Sequence, residues 1–135
     1  MKDERARAVI IHKHKILLIQ RVKAESVYYV LPGGHVEENE SPESAVLREI
    51  KEETSLEVAF NKKLTTLFDK DTTVHHLYLC EYISGTPRLT DTSPELTKES
   101  GENIYTPLWI EIDKLKDLPM WPAEVKPFLL NYLKG

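Results

Sequence analysis

Residues 33–56 of the chain read GGHVEENESPESAVLREIKEETSL, and this stretch decides both the fold and the chemistry expected of it. The order of residue types predicts a glycine turn after a strand, a polar loop and then a helix. Because a helix advances by about 100° per residue, Glu49, Glu52 and Glu53 fit within an arc of roughly 100° on one face. Carboxylates are hard oxygen ligands, so this acidic stripe predicts a site for Mg²⁺, Mn²⁺ or Ca²⁺.

The same helix carries an apolar stripe beside the acidic one. It lies about 60° to 160° from Glu49, where we expect it to dock the helix on a core, and comprises Val46, Leu47 and Ile50. Arg48 and Lys51 fall on the remaining side, so Arg48 is expected to point away from the acids. Taken alone, such a run is also typical of a solvated surface helix, because Glu and Lys favour helices. The combination with a glycine pair at a fixed distance favours a functional site.

This combination resembles the signature of the Nudix hydrolase family, G-x5-E-x7-R-E-U-x-E-E-x-G-U, in which U is a bulky aliphatic residue. The matching positions are Gly34, Glu40, Arg48, Glu49, Ile50, Glu52, Glu53 and Leu56. Ser55 stands where the family has glycine, and Asn39 stands where many members have one. Both departures affect backbone turns and not the acidic residues.

The resemblance implies a role for each matched residue. It implies an α/β/α sandwich around a mixed sheet and hydrolysis of phosphoanhydride bonds with Mg²⁺, for which Mn²⁺ is a substitute. The metal ligands would be the carboxylates of Glu49, Glu52 and Glu53 together with the carbonyl of Gly33, a residue without a side chain to keep the metal away. Gly34 and an ion pair between Glu40 and Arg48 would support the loop structurally.

The general base is left open between Glu49 and a glutamate outside the signature. In some members of the family the acid after the signature arginine activates the attacking water, which indicates Glu49; in others a glutamate outside the signature does so. Here the candidates outside the signature are Glu95, Glu99 and Glu102, of which Glu102 is preferred because it lies just before a predicted strand. Arg21 is a candidate for a substrate phosphate. Candidates for stacking on a base are Tyr28, Tyr29, Tyr78, Trp109 and Trp121, with Tyr29 chosen for the site.

The two turn positions that depart from the signature predict a particular backbone. Ser55 follows the last turn of the helix, so we expect positive φ there, at a cost of order 1 kcal/mol for a residue with a Cβ. Ser55→Gly is therefore expected to be slightly stabilising, since glycine's extra freedom in the unfolded chain takes back about half of the gain or more. Asn39 is suited to positive φ. Ser41 is the predicted N-cap, with Pro42 in the first turn.

The rest of the chain alternates between strand and helix patterns. Strands are predicted at 6–11, 16–21, 27–31, 56–60, 64–69, 73–83 and 105–110, and further helices at 112–118 and 124–133. Residues 87–103 read as a polar loop. One α/β domain over residues 1–135 follows, with a mixed sheet between helices.

Composition excludes several classes of function. The 135 residues carry a net charge of −4, which gives no electrostatic basis for broad nucleic-acid or membrane binding. Cys80 is the single cysteine, so an intramolecular disulfide is impossible and a reducing cytoplasm is expected. Its thiol is expected to be buried and inert. The N-terminus has no signal-like apolar region.

Three functions compete at this stage. The leading one is metal-dependent hydrolysis of a small molecule in which a nucleoside diphosphate is linked to another moiety, such as a nucleoside triphosphate or a nucleotide sugar. The second is a catalytically idle Nudix domain that senses nucleotides, and the third is an acidic helix with no metal. The retained signature glutamates favour the first. A homodimer is compatible with the resemblance.

Overall fold

The computed structural model describes residues 3–70, 72–88 and 103–134. In chain order its elements are β1 (Glu4–His12), β2 (Lys15–Lys23), β3 (Ser26–Val30), β4 (Gly33–His35), α1 (Pro42–Thr54), β5 (Glu57–Phe68), β6 (Val74–Ser84), β7 (Asn103–Glu111), a 3₁₀ helix (Ile112–Asp117) and α2 (Val125–Lys134). Within the described residues, no helix is both long and apolar enough to cross a membrane.

The strands form one mixed sheet. Its main path runs β3-β2-β1-β6-β5, while β4 pairs with β1 and β7 pairs with β2. The pairing of β1 with β6 is parallel and the other strand pairings are antiparallel. This mixed architecture confirms the predicted fold class.

Helices cover both faces of the sheet. Side chains alternate between the two faces along each strand, so each strand contributes residues to both layers. On one face the small residues Ala6 and Ala8 of β1 allow α1 to pack closely through Val46 and Ile50. On the other face Val9 packs in a cluster with residues of the 3₁₀ helix and α2. Cys80 is buried in the first cluster, and burial raises the pKa of its thiol to about 11. The expectation of a buried cysteine is confirmed.

The sheet opens at one end. The β1–β2 hairpin register includes Ile11 opposite Ile16 and His12 opposite Lys15, whereas residues 5–7 of β1 pair with β4 instead. The second half of β2 pairs with β3 and β7. The first half of β1 and the second half of β2 therefore have different partners, and a cleft lies between them.

Three expectations about the elements are corrected. Residues 57–68 form one strand, because register shifts let it bend past 61–63 without breaking its pairing with β6. Leu47 is 37% exposed, so the docking stripe of α1 is formed by Ala45, Val46 and Ile50. Gly33–His35, expected as a turn, is a short strand. Residues 89–102, and with them Glu95, Glu99 and Glu102, lie outside the described residues.

Candidate active site

The glycine pair holds α1 against the sheet. The Gly33 N–H donates to Oε1 of Glu53 at 2.7 Å, which ties β4 to the last turn of the helix. Gly33 has a φ of 140°, and a Cβ at this position would overlap the carbonyl oxygen of Ala6 in the neighbouring strand. A Cβ on Gly34 would lie 2.9 Å from the carboxylate carbon of Glu49. Gly33 is therefore required by the close approach of the β1 backbone, whereas a side chain at Gly34 would displace only the end of the Glu49 side chain.

The acidic stripe faces the open end of the sheet. Glu49 and Glu53 are 8% and 5% exposed, and Glu52 is half-buried. All three carboxylates line a cleft of about 490 Å³. Because ionised carboxylates are seldom buried without a compensating charge, this placement is typical of a site that receives cations or cationic side chains.

Arg48 lies across the acids, and the expectation that it points away from them is wrong. Its Nε donates to Oε2 of Glu40 at 2.8 Å, and its Nη1 lies 3.0 Å from Oε1 of Glu49 and 3.4 Å from Oε2 of Glu52. The Cα direction does indicate the far side of the helix, but the long flexible stem carries the guanidinium back to the negative charges. The hydrogen bond from Arg48 is the main reason that the pKa of Glu40 lies below its usual value. The implied Glu40–Arg48 pair is thus present.

The oxygen atoms of these residues are of the kind that a hard divalent cation prefers. Three carboxylates and the main chain of a glycine meet at one wall of the cleft, and the small residue at position 34 leaves room beside Glu49. In the arrangement observed, these carboxylates accept hydrogen bonds from Arg48 and from the Gly33 N–H. The described residues contain no group of three His, Cys, Asp or Glu side chains close enough to hold a metal. Binding of a cation would therefore require the carboxylates to exchange these partners for the ion.

The opposite wall is cationic. Arg5 and Arg7 of β1 and Arg21 of β2 line the cleft, and Nη2 of Arg21 donates to the hydroxyl of Tyr105 at 2.6 Å. The Arg21 guanidinium also stacks on the Tyr105 ring, 4.1 Å from its centroid. Arg21 was expected at the site, whereas Arg5, Arg7 and Tyr105 were missed. The alternation Arg5-Ala6-Arg7-Ala8 is a signal for two cations on one face of a strand.

Of the aromatic candidates, Trp121 reaches the cleft. Its side chain is 41% exposed and lines the same cleft as Arg7. Tyr29 is not among the residues that line the cleft; its hydroxyl accepts a hydrogen bond from Gln20, and its ring packs against the cluster beneath α2. Tyr78 is buried in the α1 core and Trp109 packs against that core. Trp121 is therefore the aromatic candidate that this geometry favours.

Comparisons with known proteins identify the family. A family model described as NUDIX domain matches residues 1–131. The chain belongs to the Nudix family. This Nudix hydrolase is 32% identical over 99 residues to an 8-oxo-dGTP diphosphatase from Proteus vulgaris, an alignment that covers 71% of this chain and 83% of that protein.

Solved structures share the fold of this Nudix hydrolase. A NUDIX hydrolase from Nitrosomonas europaea superposes with a TM-score of 0.77 at 20% identity, covering 100% of this chain and 90% of that one. A MutT NUDIX hydrolase from Burkholderia pseudomallei has a TM-score of 0.66 at 28% identity, covering 97% of each chain. The Nudix family generally depends on divalent metals.

Proposed function

We propose that this Nudix hydrolase uses a divalent cation to hydrolyse nucleoside triphosphates to nucleoside monophosphates and pyrophosphate. The observation that carries the proposal is the pairing of two walls in one cleft, with Glu49 and Glu53 on one side and three arginines on the other. A polyphosphate requires both walls, since its oxygens are anionic and its hydrolysis requires that charge to be neutralised.

Glu49, Glu52 and Glu53, with the carbonyl of Gly33, are the proposed ligands for Mg²⁺ or, in its place, Mn²⁺. A bound ion of this kind neutralises phosphate charge and lowers the pKa of the attacking water. Glu49 is the proposed general base, with Glu102 as the alternative, and it accepts the proton that the water loses. Water adds across one phosphoanhydride bond, so that one phosphorus gains the hydroxyl oxygen and the pyrophosphate departs with the bridging oxygen.

The choice of a triphosphate over a nucleotide sugar rests on charge. A nucleoside triphosphate carries more negative charge than a nucleotide sugar, and Arg5, Arg7 and Arg21 supply three guanidinium groups that line the cleft. The 8-oxo-dGTP diphosphatase relative supports a purine triphosphate. The exposed ring of Trp121 at the cleft wall is suited to stack on the base.

A panel of substrates tests the proposal directly. The purified chain is incubated with Mg²⁺ and one of dGTP, 8-oxo-dGTP, the other nucleoside triphosphates, ADP-ribose or a UDP-sugar, and nucleoside monophosphate is measured by chromatography. Triphosphates are expected to turn over fastest, and omission of the metal to stop turnover. Preference for ADP-ribose or the UDP-sugar would overturn the substrate assignment.

Calorimetric titration with Mn²⁺ distinguishes the remaining alternatives. A defined stoichiometry together with turnover supports the hydrolase. Nucleotide binding without turnover of any substrate in the panel would instead identify a sensor, and the absence of a defined Mn²⁺ stoichiometry would identify a structural acidic helix.

A further inference from the structure

Arg7 is a buried cation whose direction is set by two hydrogen bonds. Only 4% of its surface is exposed, yet it lines the cleft. Its Nε donates to Nδ1 of His75 at 3.1 Å, and its Nη1 donates to the carbonyl oxygen of Leu31 at 3.0 Å. Among the described residues, Nη2 makes no hydrogen bond. Two nitrogens of the guanidinium are therefore held by the protein, and the third remains for a molecule in the cleft.

The partner of Arg7 is itself held by an acid. His75 is fully buried, and its Nε2 lies 2.9 Å from Oδ2 of Asp69. Because Nδ1 accepts from Arg7, the single proton of a neutral imidazole must lie on Nε2, where it donates to Asp69. The other oxygen of Asp69 accepts from the backbone N–H of Thr73 at 3.1 Å. Asp69 thus selects the tautomer that presents a lone pair to Arg7.

The electrostatics around Arg7 favour an anionic ligand. Its two hydrogen-bond partners are a neutral imidazole and a carbonyl group, and neither neutralises its charge. Burial is the main cause that lowers its pKa, to about 10, with Arg5 and Arg21 contributing in the same direction and Glu53 and Glu49 opposing it. A guanidinium with this pKa remains charged near neutral pH, and a buried charge without a directly bonded acid is stabilised further by an anion.

We propose that Asp69 and His75 are positioning residues that hold the Arg7 guanidinium ready to bind a phosphate oxygen of the substrate. The proposal rests on the proposed function, since it takes a nucleoside triphosphate as the molecule in the cleft. A donor already held in its bound orientation loses little conformational freedom on binding, which favours affinity. Arg7 belongs to the cationic wall, and the Asp69–His75 pair acts only through it.

Two substitutions of His75 separate its contacts. In His75→Asn the amide oxygen is bonded to Cγ, as Nδ1 is, so it can still accept from Arg7 but cannot reach Asp69. In His75→Gln the amide lies one atom further out, near the position of Nε2, so it reaches Asp69 and leaves Arg7 without its acceptor. His76→Gln is the matched control, because His76 is the adjacent residue on the opposite face and contacts Glu4 and Lys63.

Binding of the non-hydrolysable analogue α,β-methylene-dGTP in the presence of Mg²⁺ is measured by calorimetry, with melting temperatures as a check on folding. We expect Arg7→Gln and His75→Gln to weaken binding by about tenfold, as expected for loss of one charge-assisted hydrogen bond. His75→Asn should stay within about threefold of the unsubstituted protein, and His76→Gln should be unchanged. Nitrogen-detected NMR of the unsubstituted protein should show the neutral Nε2–H tautomer of His75.

Three results would overturn the proposal: unchanged affinity in Arg7→Gln, equal affinities in the two His75 variants, or an Nδ1–H tautomer of His75 in the unsubstituted protein. If both His75 variants fail to fold, the Arg7 variant and the tautomer still decide it. Lack of binding by the unsubstituted protein would also count against it. Intact binding that depends on Arg7, together with no turnover of any substrate, would instead count against the proposed hydrolysis.

Discussion

At the scale of single residues, the acids of the site share their cationic partner. The Arg48 guanidinium contacts Glu40 on the loop and Glu49 and Glu52 on the helix. Contact with these carboxylates, led by the hydrogen bond to Glu40, raises the pKa of Arg48, so it remains charged. A divalent cation would compete with Arg48 for Glu49 and Glu52 but not for Glu40. Arg48 can therefore keep the loop in place while the acids change partners.

The acidic stripe predicts a specific loss of activity. Glu52→Gln or Glu53→Gln should reduce turnover by at least about a hundredfold, because a hard cation site loses one anionic ligand. The fold should persist, since the amide oxygen of glutamine can still accept from the Gly33 N–H. Circular dichroism and the monophosphate assay measure the two properties, and Glu43→Gln on the exposed first turn of α1 is the control. Near-normal rates in both variants at low Mg²⁺ would contradict the metal assignment.

Ser55 takes the backbone conformation that the missing glycine predicts. Its φ is 64°, and its N–H donates to the Lys51 carbonyl, which confirms the left-handed C-cap. The structure adds a hydrogen bond from its hydroxyl to the Arg88 carbonyl at 2.8 Å. This bond changes the expected effect of substitution at this position.

For Ser55→Gly we now expect a change in the free energy of unfolding of less than about 0.5 kcal/mol, because relief of the Cβ penalty is offset by unfolded-state freedom and the lost hydrogen bond. Ser55→Ala keeps the penalty and loses the bond, so it should destabilise the protein by about 1 kcal/mol. Urea unfolding of both variants measures the difference. If Ser55→Ala were as stable as the unsubstituted protein, the bond from the Ser55 hydroxyl to the Arg88 carbonyl would contribute nothing to stability.

At the scale of elements, β4 is the piece that joins the sheet to α1. Its three residues pair with β1, and its glycines leave space for the Ala6 carbonyl on one side and the Glu49 carboxylate on the other. A strand this short shows no periodicity of its own. Its pairing depends on β1, which is why the Gly-Gly sequence alone predicted only a turn.

Alanine substitutions in β4 should therefore have different consequences. Gly33→Ala places a Cβ on the backbone of β1 at a φ of 140°, so it should destabilise the protein by more than about 2 kcal/mol. Gly34→Ala meets only the end of the Glu49 side chain, so it should lower kcat by about tenfold or more while leaving the fold intact. Thermal melting and steady-state kinetics distinguish them. Full activity in Gly34→Ala would argue against a role for Glu49 in the reaction.

At the scale of the whole molecule, a chain of hydrogen bonds crosses the sheet from the β5–β6 connection to the cleft. Asp69 follows β5, His75 lies in β6 and Arg7 lies in β1. Burial lowers the pKa of His75 below its usual 6.5, Arg7 and Arg5 act in the same direction, and Asp69 opposes them. The unfolded chain therefore binds a proton in a pH range where the folded protein does not.

This difference predicts how stability changes with pH. The free energy of unfolding should fall as the pH drops below about 6.5, because protons favour the unfolded chain there. The contribution of the Glu40–Arg48 pair is lost only below about 4.5, so the two effects are separable. Melting temperatures between pH 8 and 5 should decline less in His75→Asn, which does not titrate, than in the unsubstituted protein. Parallel curves would contradict the His75 assignment.

The local features of this protein were determined by the sequence alone. The start of α1 at Ser41 and Pro42, the positive φ of Ser55 and Asn39 and the alignment of the three glutamates all depend on residues within a few positions of one another. Helical periodicity and capping depend on residues close together in the sequence, so they can be predicted without a structure. The prediction for Arg48 was wrong for a related reason. Helical periodicity gives the direction in which a side chain leaves the helix, but not where the end of a long side chain lies.

The cationic wall was decided by tertiary structure. Arg7 and His75 are 68 positions apart and meet only because β1 and β6 pair in parallel with one particular register. A shift of one residue in that register would place the two side chains on opposite faces of the sheet. That register is set by the burial of two whole faces against helices, and no short segment of the chain contains this information. The sequence therefore determined the acids of the cleft, while the fold decided which cations oppose them.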